Sequence, residues 1–407
     1  MWFIKLRLCS CSSFLLILIL ICPSLGKPKN PVILVPGDGG SQILAKLNKS
    51  SVVHYICEKT TADYYSLWLN LEMMIPEVID CFVDNMRLVY HPENHTTSNS
   101  PGVDTKIPGF GKTEHIEWLD PDVHVHYSST SYYNPIVEAL VLWGYERDVS
   151  IRGAPYDFRK APNELGQFFF DFQLLVEDTY VKNNNSKVIV LAHSMGNANM
   201  LYFFNQRPQS WKDKFIKFWI SLSGVWAGAV KPLRLMASGD SLNIPLVSAM
   251  SIRIEQRSMM STAFLMPSDK FWGNNEVLVS RPGKNYTVND YEQFFKDLFF
   301  STGYSMRKDV DHLIRDLKPP MVDVYCLHGT NVSTPGMLNY SEGQWPDSQP
   351  TVVPDNGDGT VNIRSLQGCL AWQKSQKVVH KVFNKVEHTE ILMDKDVIDY
   401  LKTILKS

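Results

Sequence analysis

Unbalanced charge, cysteines at metal-ligand spacing and long apolar runs are all scarce in this 407-residue chain, and each scarcity removes a class of function. Lys and Arg number 40 against 42 Asp and Glu, for a formal net charge of -2. No basic run stands out, so nothing points to a nucleic-acid partner. No Cys-x-x-Cys occurs, and zinc of that kind is not expected. His124 and His126 alternate through Val123 and Val125, but without a third ligand nearby; neither a metal nor a cofactor is expected. Beyond the N-terminus no segment is apolar for long enough to span a bilayer, which predicts a soluble or peripheral exported protein. Repeats and low-complexity tracts are also missing. With 44% hydrophobic and 12% aromatic residues, the chain can build one large core with insertions, or two domains.

What is present begins with an export signature. Lys5 and Arg7 precede an apolar run from Phe14 to Cys22, and Ser24 and Gly26 are small residues at a cleavage position. Residues 1–26 therefore read as a signal peptide, with an uncleaved anchor as the alternative. Of seven Cys, Cys9, Cys11 and Cys22 leave with it. Cys57, Cys81, Cys326 and Cys369 remain, an even number suited to an oxidising compartment. They permit three pairings, of which the sequential one closes the smallest loops. Sequons at Asn48, Asn94, Asn184, Asn285, Asn331 and Asn339 fit a glycosylated lumenal or secreted protein.

The stretch with the most chemistry runs from Lys187 to Gly196. Val188, Ile189, Val190 and Leu191 form a continuous, mostly β-branched run, as a strand covered on both faces requires. A helix is predicted over Asn197–Arg207, and Ser194 stands at the turn between them. A serine on so sharp a turn needs small residues two positions to either side, and Ala192 and Gly196 supply them. Upstream, Pro31–Gly40 reads as a buried strand ending in a glycine-rich loop. No Lys-Ser or Lys-Thr follows, so a phosphate loop is excluded. In a serine hydrolase that loop donates a backbone N–H to the oxyanion, which makes Asp38 one candidate donor and Met195, directly after Ser194, the other.

Elsewhere the chain alternates strands and helices. Helices are predicted from Tyr133 to Trp143, Gln167 to Tyr180 and Asp394 to Lys406. Strands are predicted at Val149–Arg152, Phe218–Gly224, Val322–Gly329 and Val378–Phe383. Two stretches break the pattern. Between Cys57 and Cys81 lies Ser66–Ile75, too apolar for a small loop to bury on itself, which reads either as a helix docked on the core or as a lipid-binding excursion. Lys231 to Leu317 reads as a cap or lid insertion. A polar loop is predicted after Gly329.

A nucleophilic serine needs a base and an acid, which in a doubly wound hydrolase sheet follow it in the order Asp, then His. Ser194, Asp358 and His388 meet that order. His388 follows the last strand; His380, inside it, is the alternative. Asp358 lies between two glycines that permit a tight turn, and is preferred to Asp355 and Asp323.

Pro36-Gly-Asp, Trp68-Leu-Asn-Leu, Pro108-Gly-Phe-Gly-Lys-Thr113, Gly153-Ala-Pro-Tyr-Asp157, Ala192-His-Ser-Met-Gly-Asn197, Trp211-Lys-Asp-Lys214, Gly357-Asp-Gly-Thr-Val-Asn362 and Glu387-His388 occur in this order across the mature chain. In them the sequence resembles the lecithin:cholesterol acyltransferase family, above all its lysosomal phospholipase A2 branch. The resemblance implies an α/β-hydrolase fold with a disulfide-tied membrane-binding excursion and a cap or lid insertion. The chain then divides into core (27–56), excursion (57–81), core edge and first cap segment (82–136), core with the nucleophile (137–227), cap (228–317) and core with acid and base (318–407). It further implies catalysis by Ser194, Asp358 and His388, oxyanion donors at Asp38 and Met195, and disulfides Cys57–Cys81 and Cys326–Cys369. Membrane contact falls to Trp68, Leu69 and Leu71. The implied activity is a phospholipase A and transacylase of the lysosome lumen, peripheral on membranes, with secretion as a second destination. It acts on a glycerophospholipid and passes the acyl group to water or to a ceramide-like lipid alcohol. A secreted sterol acyltransferase and a non-catalytic lipid-binding protein are the alternatives. Members of the lysosomal branch work in acid, which depletes the neutral form of a general-base histidine, and the sequence names no residue that explains this.

Overall fold

The computed structural model describes residues 29–121, 130–242, 244 and 247–406. The expected signal peptide, and His124 and His126, lie outside the described residues.

Six short segments build the central sheet: β1 (Val32–Val35), β2 (Ile151–Gly153), β3 (Val188–His193), β4 (Ile216–Leu222), β5 (Val324–Thr330) and β6 (Val378–Asn384). They lie in the order β6-β5-β4-β3-β1-β2, every neighbouring pair parallel. Successive side chains of β3 point to opposite faces, so one strand feeds two cores. Val188, Val190 and Ala192 pack with Phe168 and Phe172 of α2 (Gly166–Lys182) and with Leu201 and Phe204 of α3 (Met195–Asn205). Ile189 and Leu191 join Ile136 and Leu140 of α1 (Asn134–Leu142), and Val397 and Leu401 of α5 (Lys395–Lys406). Helices therefore cover both faces, and the unbroken apolar run of β3 follows from that burial. This is the α/β-hydrolase architecture, and the predicted helices and core strands stand within a few residues of their expected bounds.

The polar segment after Gly329 differs from expectation. Val332–Asn339 is a strand, paired antiparallel with Thr351–Gly357 in a second sheet that includes the Val279–Arg281 and Lys284–Tyr286 hairpin. Thr334 and Leu338 turn inward while Asn331 and Asn339 stay exposed at its ends, so half-burial rather than composition decides. All six sequon asparagines are exposed. Disulfides join Cys57 to Cys81 and Cys326 to Cys369. Within the stretch tied by the first, Tyr65–Trp68 is a strand beside Ile43–Leu47, followed by a single 3-10 turn at Leu71–Met74 rather than a long helix. The segment from 228 to 317 contributes the hairpin and five helices, among them α4 (Ala249–Ser258), among the described residues.

Candidate active site

β3 ends at His193 and α3 begins at Met195, which leaves Ser194 alone to reverse the chain. It does so at φ 52° and ψ -126°, a left-handed conformation that costs energy for a residue with a side chain. The surroundings hold it there. Ser194 N–H donates to the Leu222 carbonyl (3.0 Å) and the Asn197 side chain donates to the carbonyls of Ala192 and Leu222 (3.1 and 3.0 Å). A Cβ at Gly196 would sit 2.4 Å from the Pro36 carbonyl oxygen, so the elbow closes against β1 only with glycine there.

His388 follows β6 and brings Nε2 to 2.8 Å from Ser194 Oγ, with Nδ1 at 2.7 Å from Asp358 Oδ2. Asp358 directly follows the last strand of the second sheet and is fully buried. Burial alone pushes its carboxyl up, but His388 and the amides of Val361 and Thr360 outweigh it and hold the group below the usual carboxylate range. The His388 N–H also donates to the Asp358 carbonyl (2.8 Å), so main chain and side chain fix the same pair. Thus Ser194, His388 and Asp358, separated by 194 and 30 residues, meet in one line of hydrogen bonds. The alternatives do not. His380 lies 2.8 Å from His328, Asp323 pairs with Lys377 at 3.6 Å, and Asp355 receives the Asn362 amide at 3.1 Å.

The loop after β1 reaches the same place. A Cβ at Gly37 would lie 2.6 Å from Ser194 Cβ, so glycine lets this backbone approach the nucleophile. Aromatic side chains grip the loop: Tyr133 donates to Val35 O (2.9 Å), Tyr156 to Pro36 O (3.0 Å) and Trp68 to Gly39 O (2.8 Å). Met195 opens α3, so its N–H has no acceptor within the helix. Asp38 lies beside the site as an exposed residue. Burial of its carboxyl raises it to about 7, against the pull of Lys231, the Gly39 amide and His388. Solvent softens that shift, and its direction is what the chemistry uses.

No motif in the sequence marks the aromatic grip, and Trp68, expected at a membrane, is part of it. Trp68 and Leu69 are buried in the main core and Leu71 is half-buried against it, because the indole is needed under the β1 loop. Around the excursion, the exposed apolar residues are Val53, Tyr55, Ile56 and Ile75. A further carboxyl, Glu255 of α4, is buried with Oε2 unpaired, and desolvation and nearby Asp38 raise it to about 8. No local pattern in the sequence marks it.

The family model described as lecithin:cholesterol acyltransferase matches residues 64–395. The lysosomal phospholipase A and acyltransferase of Rattus norvegicus is 45% identical over 96% of this chain and 94% of its own length. The Homo sapiens protein of the same description is 44% identical over 96% and 94%. The phosphatidylcholine-sterol acyltransferase of Gallus gallus is 40% identical over 89% of this chain and 87% of its own.

Proposed function

The chain belongs to the lecithin:cholesterol acyltransferase family, and from that premise we propose that it is a serine-dependent phospholipase A and acyltransferase acting on glycerophospholipids. The observation that carries the reading is the 2.8 Å contact between Ser194 Oγ and a His388 that is itself held by Asp358. His388 Nε2 takes the Ser194 proton as Oγ attacks the ester carbonyl carbon. The tetrahedral oxygen lies toward the N–H groups of Asp38 and Met195, a pair of donors worth several kcal/mol of barrier. Collapse breaks the ester bond, and the leaving lysophospholipid oxygen receives the proton from Nε2. Water or a lipid alcohol then gives its proton to Nε2 and attacks the acyl-serine, and Ser194 Oγ leaves with the proton returned.

The greater identity to relatives described as lysosomal phospholipase A and acyltransferase than to one described as a phosphatidylcholine-sterol acyltransferase supports the lysosome lumen over secretion and an acceptor other than a sterol, for which the family resemblance implies a ceramide-like alcohol. A raised Asp38 supports work in acid: protonated, it puts no negative charge beside the developing oxyanion. Peripheral membrane contact is assigned to Val53, Tyr55, Ile56 and Ile75, with Leu71 at the margin. The segments 57–81 and 228–317 serve as docking excursion and cap, and the six exposed sequons carry glycans. The test is acyl transfer from phosphatidylcholine vesicles containing either N-acetylsphingosine or cholesterol, at acid and at neutral pH. Acylated N-acetylsphingosine, formed faster in acid, is expected. Cholesteryl ester as the main product at neutral pH would replace this reading with the sterol one.

A further inference from the structure

One chain of hydrogen bonds links the loop after β1 to the base, and its proton positions follow from the partners. Gly37 N–H donates to Tyr132 Oη (2.9 Å), Tyr132 Oη lies 2.6 Å from His193 Nδ1, and His193 Nε2 lies 2.9 Å from the His388 carbonyl oxygen. A carbonyl oxygen only accepts, so Nε2 carries the proton and Nδ1 is the acceptor. The Tyr132 hydroxyl must then donate to Nδ1, which leaves its own lone pairs for the Gly37 N–H. Tyr132 and His193 are 5% and 2% exposed, so water does not compete for these groups. Unpairing any of them would leave a buried polar atom without a partner.

The two ends of this chain are the parts of the site that have to agree in position. Gly37 precedes the candidate donor Asp38, and His388 is the candidate base. Among the described residues no backbone hydrogen bond joins their loops directly. We infer that Tyr132 and His193 are positioning residues for acyl transfer, setting the place of the Asp38 N–H relative to the His388 imidazole through the Gly37 amide and the His388 carbonyl. Neither touches the reacting atoms. The inference rests on the reading of Ser194 as nucleophile. It also suits an acid compartment: burial and the neighbouring His388 lower His193 to about 3, so Nδ1 stays an acceptor where an ordinary histidine is charged.

Tyr132→Phe tests this by removing one oxygen while keeping the ring against Tyr133 (centroids 5.0 Å) and His193 (5.5 Å). The kcat for phospholipid hydrolysis is expected to fall about 10- to 100-fold with KM little changed, because positioning acts on the transition state. The rate at which a fluorophosphonate labels Ser194 falls with it, since the phosphonyl oxygen uses the same donors. An unchanged kcat, or a loss carried wholly in KM, overturns the inference. His193→Gln keeps a donor and an acceptor in one side chain and His193→Phe keeps neither, so the glutamine variant is expected to recover part of the rate; equal rates overturn the inference. This second pair decides the matter if Tyr132→Phe does not fold. Ser194→Ala in the same hydrolysis assay tests the underlying reading separately: activity retained there removes the nucleophile, whatever Tyr132→Phe does.

Discussion

Two loops bring a carboxyl group to the Ser194 site, and their surroundings shift the two groups in opposite directions. Asp358 is fully buried, yet its carboxyl is held below the usual range, because His388 from the loop after β6 and the Thr360 and Val361 amides of its own loop face the charge. Asp38, on the loop after β1, is exposed as a residue, yet its carboxyl is shifted upward, because Lys231, the Gly39 amide and His388 do not offset the desolvation of the group. The donors facing a carboxylate, more than the depth of its residue, decide whether the charge is kept. The difference matches the work: a fixed negative charge behind the imidazole stabilises it as it gains a proton, whereas one beside the oxyanion would oppose the reaction.

The largest expected effect lies on the Asp358 side. Asp358→Asn keeps the shape and loses the charge, and kcat is expected to drop about 10⁴-fold in steady-state hydrolysis. The same exchange at Asp38 leaves activity in acid within a few-fold of the parent. Equal losses at the two positions would break the comparison. Next comes the close approach of the loop after β1. Gly37→Ala places a methyl 2.6 Å from Ser194 Cβ, and kcat is expected to fall about 100-fold as the Asp38 N–H is displaced, with melting followed in parallel to exclude unfolding.

A smaller effect sharpens the contrast through pH. The carboxyl of Asp38 is shifted above the usual carboxylate range, so activity is expected to decline as rising pH removes its proton, and Asp38→Asn is expected to flatten that decline in a pH–rate profile. The smallest effect is on stability. Glu255 is raised from 4.5 to about 8, so the folded state holds its proton where the unfolded chain has lost it. Stability from that proton is complete below about 4.5 and is lost as pH rises through about 8. Glu255→Gln is therefore expected to melt higher than the parent by a margin that grows from acid to neutral pH, checked by thermal melts across that range. A margin independent of pH would remove Glu255 from the account.

Much of this was legible in the chain because the signals are local. The β-branched run of β3, the small residues flanking Ser194 and the order Ser194, Asp358, His388 each follow from steric or topological rules that need no coordinates. What stayed hidden depends on tertiary pairing. Trp68 reads as a membrane anchor among its neighbours, and only the fold shows its indole nitrogen facing Gly39. Val332–Asn339 is polar enough to read as a loop until Thr351–Gly357 lies beside it. Tyr132 lies 61 residues from His193 and carries no motif, although His193 itself stood in plain view within Ala192-His-Ser-Met-Gly. The state of Asp38 is a property of its surroundings and has no counterpart in local sequence.

If the acyl group passes through Ser194, it can be trapped there. Turnover on a phosphatidylcholine of defined chains, stopped by rapid acidification and followed by peptide mass spectrometry, should show one fatty acyl ester on the peptide carrying Ser194. That ester should drain faster when a lipid alcohol is supplied and be missing in Ser194→Ala. An acyl group on any other residue, or undiminished turnover by Ser194→Ala, would mean that Ser194 is not the nucleophile.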